Sequence, residues 1–334
     1  MRNFLSPSGQ FGAWPRPFAF RAAVRALALA ALVLALGLGM VAPAAAHHVR
    51  DVTGRTVEVR DTARIVAIGS SVTEILFALG VGERVVAVDQ TSTYPAAARK
   101  LPNVGYSRAL APEGVLSVGP SLIIAIEGAG PREALEVLEH SSVPVVIVPD
   151  GHSAEGVIRK IEMVAAAVGI PRKGADLASE VRADFTQLAR EVATLRRHPK
   201  AVFVLSAAGG NVVVGGSGTG ADAMFRLAGI DNAMGAVKGY KPAGDEVTLT
   251  AEPEAVVVMS GAGQALPADL IFSLPAFKGT PAAKDKKLVT LPGAYLLGFG
   301  PRTPQAARDL AMAVRTNARL APLPKHSWSS EPNP

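Results

Sequence analysis

The stretch 103-NVGYSRAL-110 places a phenol, Tyr106, two residues before a guanidinium, Arg108, in what reads as a loop. Only 5% of the chain is aromatic and only four residues are tyrosines, so a tyrosine in a loop stands out. Such a phenol is either a half-buried amphipathic ring or an oxygen donor to something bound. A free phenol titrates near about 10, so acting as an anion at neutral pH requires a positive neighbour. A second candidate is 216-GSGTGA-221, which follows an apolar run and opens a helical pattern. It matches the G-x-G-x-x-[GA] fingerprint of dinucleotide binding, and with it a distant reading as an exported dinucleotide-binding enzyme. No Ser/His/Asp order, HExxH motif or carboxylate pair supports a hydrolase.

These residues need a scaffold, and the bulk numbers bound it. At 334 residues the chain is long enough for two ordinary domains, and 49% hydrophobic with 19% charged allows substantial cores. Residues 1–46 read as a secretory signal peptide. Arg2, Arg16, Arg21 and Arg25 precede the apolar run 26-ALALAALVLALGLGMVA-42, and small residues Ala44 and Ala46 supply an A-x-A site. Cleavage after Ala46 leaves a chain starting at His47; a membrane anchor is the competing reading. The segment holds four of the 34 basic residues and no acid, so the remainder is almost neutral against its 28 acids. With no basic run interleaved with aromatics, nucleic acid is a poor partner. The chain has no cysteine, hence no disulfide and no lipid-modified cysteine. A soluble, monomeric periplasmic protein is the expectation.

The pattern after the signal divides into two α/β halves. In the first, residues 47–171, a turn at Thr53-Gly54 joins two short strands. Apolar strands 65–69, 84–89, 121–127 and 143–149 then alternate with helical stretches 71–82, 112–119 and 131–141. Strands that are nearly all Val and Ile, alternating with helices, indicate a mainly parallel sheet covered on both faces. The second half, residues 199–321, repeats the plan, with strands at 200–207, 212–216, 254–260 and 287–292 and a last helix over 303–321. Residues 172–198 read as one long bridging helix, a stiff strut where a flexible linker would be rich in Gly, Ser and Pro. The Pro-rich tail 322–334 reads as disordered.

With this lobe–strut–lobe plan in hand, 65-IVAIGSSVTEILFALGVGERVVAVDQTSTYP-95 resembles the first lobe of ABC-transporter solute-binding proteins for haem, siderophores and cobalamin. Within that class III binding-protein group, 101-LPNVGYSRALAPEGVLSVGPSLIIA-125 is similar to the haem-binding branch, as are 223-AMFRLAGIDNAM-234, 239-GYKPAGDEVTLTAEPEAVVVM-259 and 293-GAYLLGFGPRTPQAARDLA-311. The resemblance implies two Rossmann-like lobes bridged by a long helix, a cleft that holds hemin (ferric haem b) as transported ligand, and no enzymatic activity. It also implies Tyr106 as the axial ligand of the haem iron. That is chemically reasonable, because phenolate is a hard anion suited to Fe(III). Arg108 would stand beside the phenolate if the segment is extended, or reach a propionate. Tyr240, Lys241, Tyr295 and Arg302 are the further candidates for the haem pocket.

Histidine is the competing iron ligand. His47 and His48 fall at the expected new terminus, His198 after the strut, His326 in the tail and His140 at a helix end. His152 sits on a loop after a strand and could face the cleft, whereas 205-LSAAGGN-211 offers no histidine from the second half. The resemblance further implies that Glu74 and Glu246, one per lobe, dock with arginines on an inner-membrane ABC permease dimer that works with ATPase subunits. A ferric siderophore or corrinoid receptor of the same group is the nearest alternative.

Overall fold

The computed structural model describes residues 46–261, 266–315 and 317–330. Residues 1–45 of the expected signal peptide lie outside them, and the expected cleavage point, Ala46–His47, falls at their start. A hairpin comes first: β1 (His47–Arg50) pairs antiparallel with β2 (Thr56–Val59), turned by an Asp51 carboxylate that accepts from the Thr53 and Arg55 amides. His47 is therefore ordered, its ring bonded to the Ala167 carbonyl at 3.2 Å.

Lobe 1 is a four-stranded parallel sheet in the order β4–β3–β5–β6, from β3 (Ile65–Ile68), β4 (Val85–Val88), β5 (Leu122–Ile126) and β6 (Val145–Val148). These strands are almost wholly buried because helices cover both faces, which is why their residues are apolar without alternation. The covering helices are α1 (Ser70–Ala78), α2 (Pro112–Ser117), α3 (Arg132–Glu139) and α4 (Ala154–Ala167). Ser153 caps α4 by accepting from the Gly156 amide at 3.1 Å.

The strut, α5, spans Pro171–Ala193, ending before the expected residue 198; at 23 residues it is about 34 Å long. Gly174 lets it approach α4, since a Cβ there would lie 2.3 Å from Ala165.

Lobe 2 contains β7 (Lys200–Ser206), β8 (Val213–Gly215), α6 (Gly220–Leu227), β9 (Asp231–Asn232), β10 (Tyr240–Pro242), α7 (Asp245–Ala251) and β11 (Ala255–Ser260). It closes with α8 (Ala268–Ser273), α9 (Pro281–Lys284), β12 (Leu288–Pro292), α10 (Gly293–Leu297) and α11 (Thr303–Val314). Its sheet runs β10–β8–β7–β11–β12, parallel through β7, β11 and β12 but antiparallel at the β8–β10 edge. One apolar cluster joins β3 and α1 of lobe 1, the strut, and β7, α6 and α11 of lobe 2, so the lobes share a core at their base.

The tail corrects an expectation. Residues 317–330 are packed, with Leu320 4% exposed and a short turn at Ser327–Ser329 lying on α1. The last helix ends at Val314 instead of residue 321, and the chain beyond it turns back along the strut.

Candidate ligand-binding cleft

Tyr106 stands on a loop that the backbone pins firmly. Asn103 continues the sheet by a parallel bridge to Val88, and Gln90 donates to the Gly105 carbonyl at 2.8 Å. Gly105 has φ +99, a conformation a side chain resists, and Asn103 Oδ1 accepts from its amide at 2.7 Å. Ala109 then donates to the Tyr106 carbonyl at 2.8 Å, closing a turn, while Ser107 and Leu110 bond the Gly130 backbone on a neighbouring loop. Val104, Ser107 and Leu110 are buried; Tyr106 keeps 44% exposure and Arg108 is exposed.

The segment is therefore a turn, not an extended strand, and the same-side argument for Arg108 does not apply. Arg108 acts elsewhere: its charge reaches the phenol of Tyr240 on the opposite lobe. Among the described residues neither the Tyr106 hydroxyl nor the Arg108 guanidinium makes a hydrogen bond or an ion pair. A loop held by its backbone thus offers an exposed phenol and an exposed cation to solvent.

Tyr240 faces them from β10. Its ring meets Phe203 edge-on at 6.2 Å, and desolvation raises its phenol pKa against the contrary pull of the Ala221 backbone, Thr219 and Arg108. Asp150, on the lobe 1 loop after β6, also acts on that phenol. Lys241 is next to it, exposed and paired in register with Val214. His152 reaches the interlobe floor, 4.8 Å from the Phe299 ring and near Gly220 at the start of α6. Its Nε2 lies 3.6 Å from Asp150. Arg108 and Asp150 of lobe 1 thus act on Tyr240 of lobe 2, and His152 of lobe 1 meets Phe299 and Gly220 of lobe 2.

Three sequence-based assignments fail here. Glu74 is 5% exposed, and its carboxylate accepts from the Arg302 amide at 2.9 Å and the Arg302 guanidinium at 2.9 Å. It cannot dock with another protein, because it already holds lobe 2 to lobe 1. Arg302, 4% exposed, lies 3.2 Å over the Tyr94 ring and so is no pocket cation. Tyr295 is buried too, its hydroxyl donating to Asp309 at 2.8 Å.

Lys160, which sequence reasoning passed over, completes this lock. Its fully buried ammonium donates to Ser71 at 3.1 Å, to Asp150 at 3.4 Å and to the Phe299 carbonyl of lobe 2 at 3.4 Å. Burial pulls its pKa down while Asp150 pulls it up. At Asp150 burial works to raise the carboxyl, but His152 and Lys160 outweigh it and the net direction is down. No sequence signal marks these pairings, since Glu74 and Arg302 are 228 residues apart.

Glu246 is exposed in the first turn of α7, and an internal repeat supplies its counterpart. Segment 112-PEGVLSVGPSLIIA-125 aligns position by position with 245-DEVTLTAEPEAVVV-258. Each is a short helix with one fully buried residue at matched places, Val115 and Thr248. Each ends on a left-handed residue, Gly119 or Glu252, followed by proline and a central parallel strand. Glu113 is the exposed partner of Glu246 in this alignment. The repeat was readable in the sequence; only the fold shows that both acids occupy equivalent surface helices.

The glycine motif 216–221 serves packing. A Cβ on Gly216 would lie 1.9 Å from the Val237 carbonyl, and the Gly216 and Ser217 amides are used by the Gly239 and Val237 carbonyls. The Asp222 carboxylate accepts from the Gly218 amide at 3.3 Å, where a phosphate would have to sit. The motif does not form a dinucleotide cradle.

Two α/β lobes locked at their base, with a polar and aromatic cleft above, define a solute-binding protein. The chain belongs to the periplasmic binding protein family, whose model matches residues 65–295. The periplasmic heme-binding protein RhuT from Roseiflexus sp. RS-1, in apo form, is similar at 37% identity and TM-score 0.73, over 76% of this chain and 98% of that one. A periplasmic heme-binding protein from Pseudomonas aeruginosa is 32% identical with TM-score 0.72, over 78% and 95%. The vitamin B12-binding protein of Photorhabdus laumondii is 24% identical over 76% of this chain and 88% of its own.

Proposed function

We propose that this chain is a periplasmic haem receptor that captures hemin between its lobes and delivers it to an inner-membrane ABC permease. The observation that carries this reading is the exposed Tyr106 hydroxyl, without a hydrogen-bond partner among the described residues, on a pinned loop whose Arg108 acts on Tyr240 of the other lobe. Tyr106 supplies an oxygen ligand to ferric iron, which displaces the phenolic proton, and Arg108 and Lys241 offer cations for the propionates. Tyr240 packs its ring on the porphyrin. The similarity to two heme-binding proteins supports the same ligand class.

A corrinoid reading draws on the vitamin B12-binding relatives, yet a corrinoid needs no exposed, unpaired phenol. Titration decides between them. Hemin is expected to give a saturable Soret shift and ferric charge-transfer bands, and cyanocobalamin none. Tight cyanocobalamin binding without a hemin response would overturn the assignment.

Delivery uses Glu113 and Glu246, one exposed acid per lobe. Reversing both, Glu113→Arg with Glu246→Arg, is expected to leave hemin binding unchanged while transport into the cell falls at least about tenfold. Undiminished transport would remove the docking role. Because Glu74 is enclosed in the lobe junction, it has no part in this step.

A further inference from the structure

Beyond α11 the chain follows one face of the strut. Ala321 donates to Glu191 at 3.0 Å, and Gln187 donates to the Pro322 carbonyl at 3.2 Å. His326 sits between Asp184 at 2.9 Å and Glu180 at 3.2 Å, and the Trp328 indole donates to Glu180 at 2.9 Å. Positions 191, 187, 184 and 180 are four, three and four residues apart, a single helical stripe. The tail therefore runs antiparallel to the strut.

Both of its ends are anchored, on different lobes. Arg308 of α11 donates to the Leu320 and Ala321 carbonyls at 2.8 Å each. At the far end Tyr94 of lobe 1 donates to the Trp328 carbonyl at 3.2 Å, and the turn at Ser327–Ser329 rests on α1. The Tyr94 ring is the same one that carries the Arg302 guanidinium, so the tail ends against the interlobe ion pair.

We propose that residues 317–330 form a strap that resists separation of the two lobes, and that His326 makes its attachment responsive to pH. The geometry carries this. Nδ1 of His326 faces Glu180 and Nε2 faces Asp184, and only an imidazolium, with two N–H groups, donates to both. Neutral imidazole must turn a lone pair toward one carboxylate. The groups around it are Glu180 and Asp184 of the strut, Gln305 of α11 bonded to Asp184 at 3.1 Å, and the Trp328 ring stacked at 4.6 Å. Lys325 is its exposed chain neighbour. No other cation among these competes for the two carboxylates at hydrogen-bond distance.

Burial raises the Asp184 carboxyl pKa, opposed by His326. A group whose folded pKa is raised contributes stability below its ordinary pKa and loses it as pH rises through the raised one. A ring with one N–H holds one carboxylate fewer than a ring with two, so the strap loosens when the second N–H is lost.

In the exported protein, or in a Trp14→Phe chain, Trp328 is the only tryptophan and reports on the strap without any ligand. Between about pH 5 and about pH 8 its emission is expected to shift to the red and its quenching by acrylamide to increase. His326→Gln is expected to abolish that pH dependence. A chain ending at Pro322 is expected to exchange backbone amides of α1 and 298–302 at least about tenfold faster. A pH-independent Trp328 signal, or an unchanged pH response in His326→Gln, overturns the pH role. Unchanged exchange in the shortened chain, or in Trp328→Ala should the shortened chain not fold, overturns the restraint. Neither readout involves hemin, so a failure here is separate from a failure of the haem assignment.

Discussion

Tyr106→Phe protein is expected to bind hemin about a hundredfold more weakly than wild type, a loss of about 2.7 kcal/mol. The ferric phenolate bands should vanish while the melting temperature stays the same. The argument rests on where the hydroxyl is. It makes no hydrogen bond or ion pair among the described residues, and the loop is held by backbone bonds from Gly105, Ser107, Ala109 and Leu110. Removing one oxygen therefore costs the fold nothing and costs a bound iron its ligand. Arg108→Ala is expected to weaken binding less and to leave the bands in place, because it removes a charge and not a ligand. An unchanged spectrum and affinity in Tyr106→Phe would sink the iron-ligand assignment.

The second large effect is on stability. Arg302→Ala leaves the Glu74 carboxylate enclosed with its cation gone, and breaking a buried pair this way costs about 3–5 kcal/mol. The melting temperature is expected to fall by roughly 5–10 °C. Glu74→Gln in the Arg302→Ala background removes the stranded charge and should recover part of the loss. This coupling distinguishes a lobe-to-lobe lock from a docking residue. If Glu74→Gln alone stops transport and leaves the melting temperature untouched, the lock is wrong.

The parallel strands were legible because they are buried on both faces, so 65-IVAI-68, 122-LIIAI-126 and 255-AVVVMS-260 are apolar without alternation. The β8–β10 edge was only half visible. A three-residue strand such as 240-YKP-242 has too short a pattern to separate from a turn, and all three of its residues are exposed. Glu74 was misread for a related reason. Helix α1 is buried at every position from Ser71 to Leu76, so an acid there has no solvent side; its apolar neighbours hinted at this, but the partner cation is distant in sequence.

The tail shows the limit most clearly. Its composition is that of a disordered segment, yet its partners wait on one stripe of a helix more than a hundred residues earlier. Composition records what a segment cannot bury alone, not what another element offers it. Tyr106 was legible as a candidate because an aromatic between glycine and serine is locally odd, though Arg108's reach across to Tyr240 was not.

If Glu113 and Glu246 dock as proposed, the matched helices that carry them also bear on how long a delivery encounter lasts. One exposed ion pair contributes only about 0.2–1 kcal/mol. Two held on a stiff frame act together, since engaging the first presents the second at an effective concentration in the millimolar range. Such bivalent attachment is firm while both acids are engaged and collapses when a tilt of either lobe withdraws one of them. A receptor built this way can hold its transporter through hand-over and then be shed without any tight contact having to break.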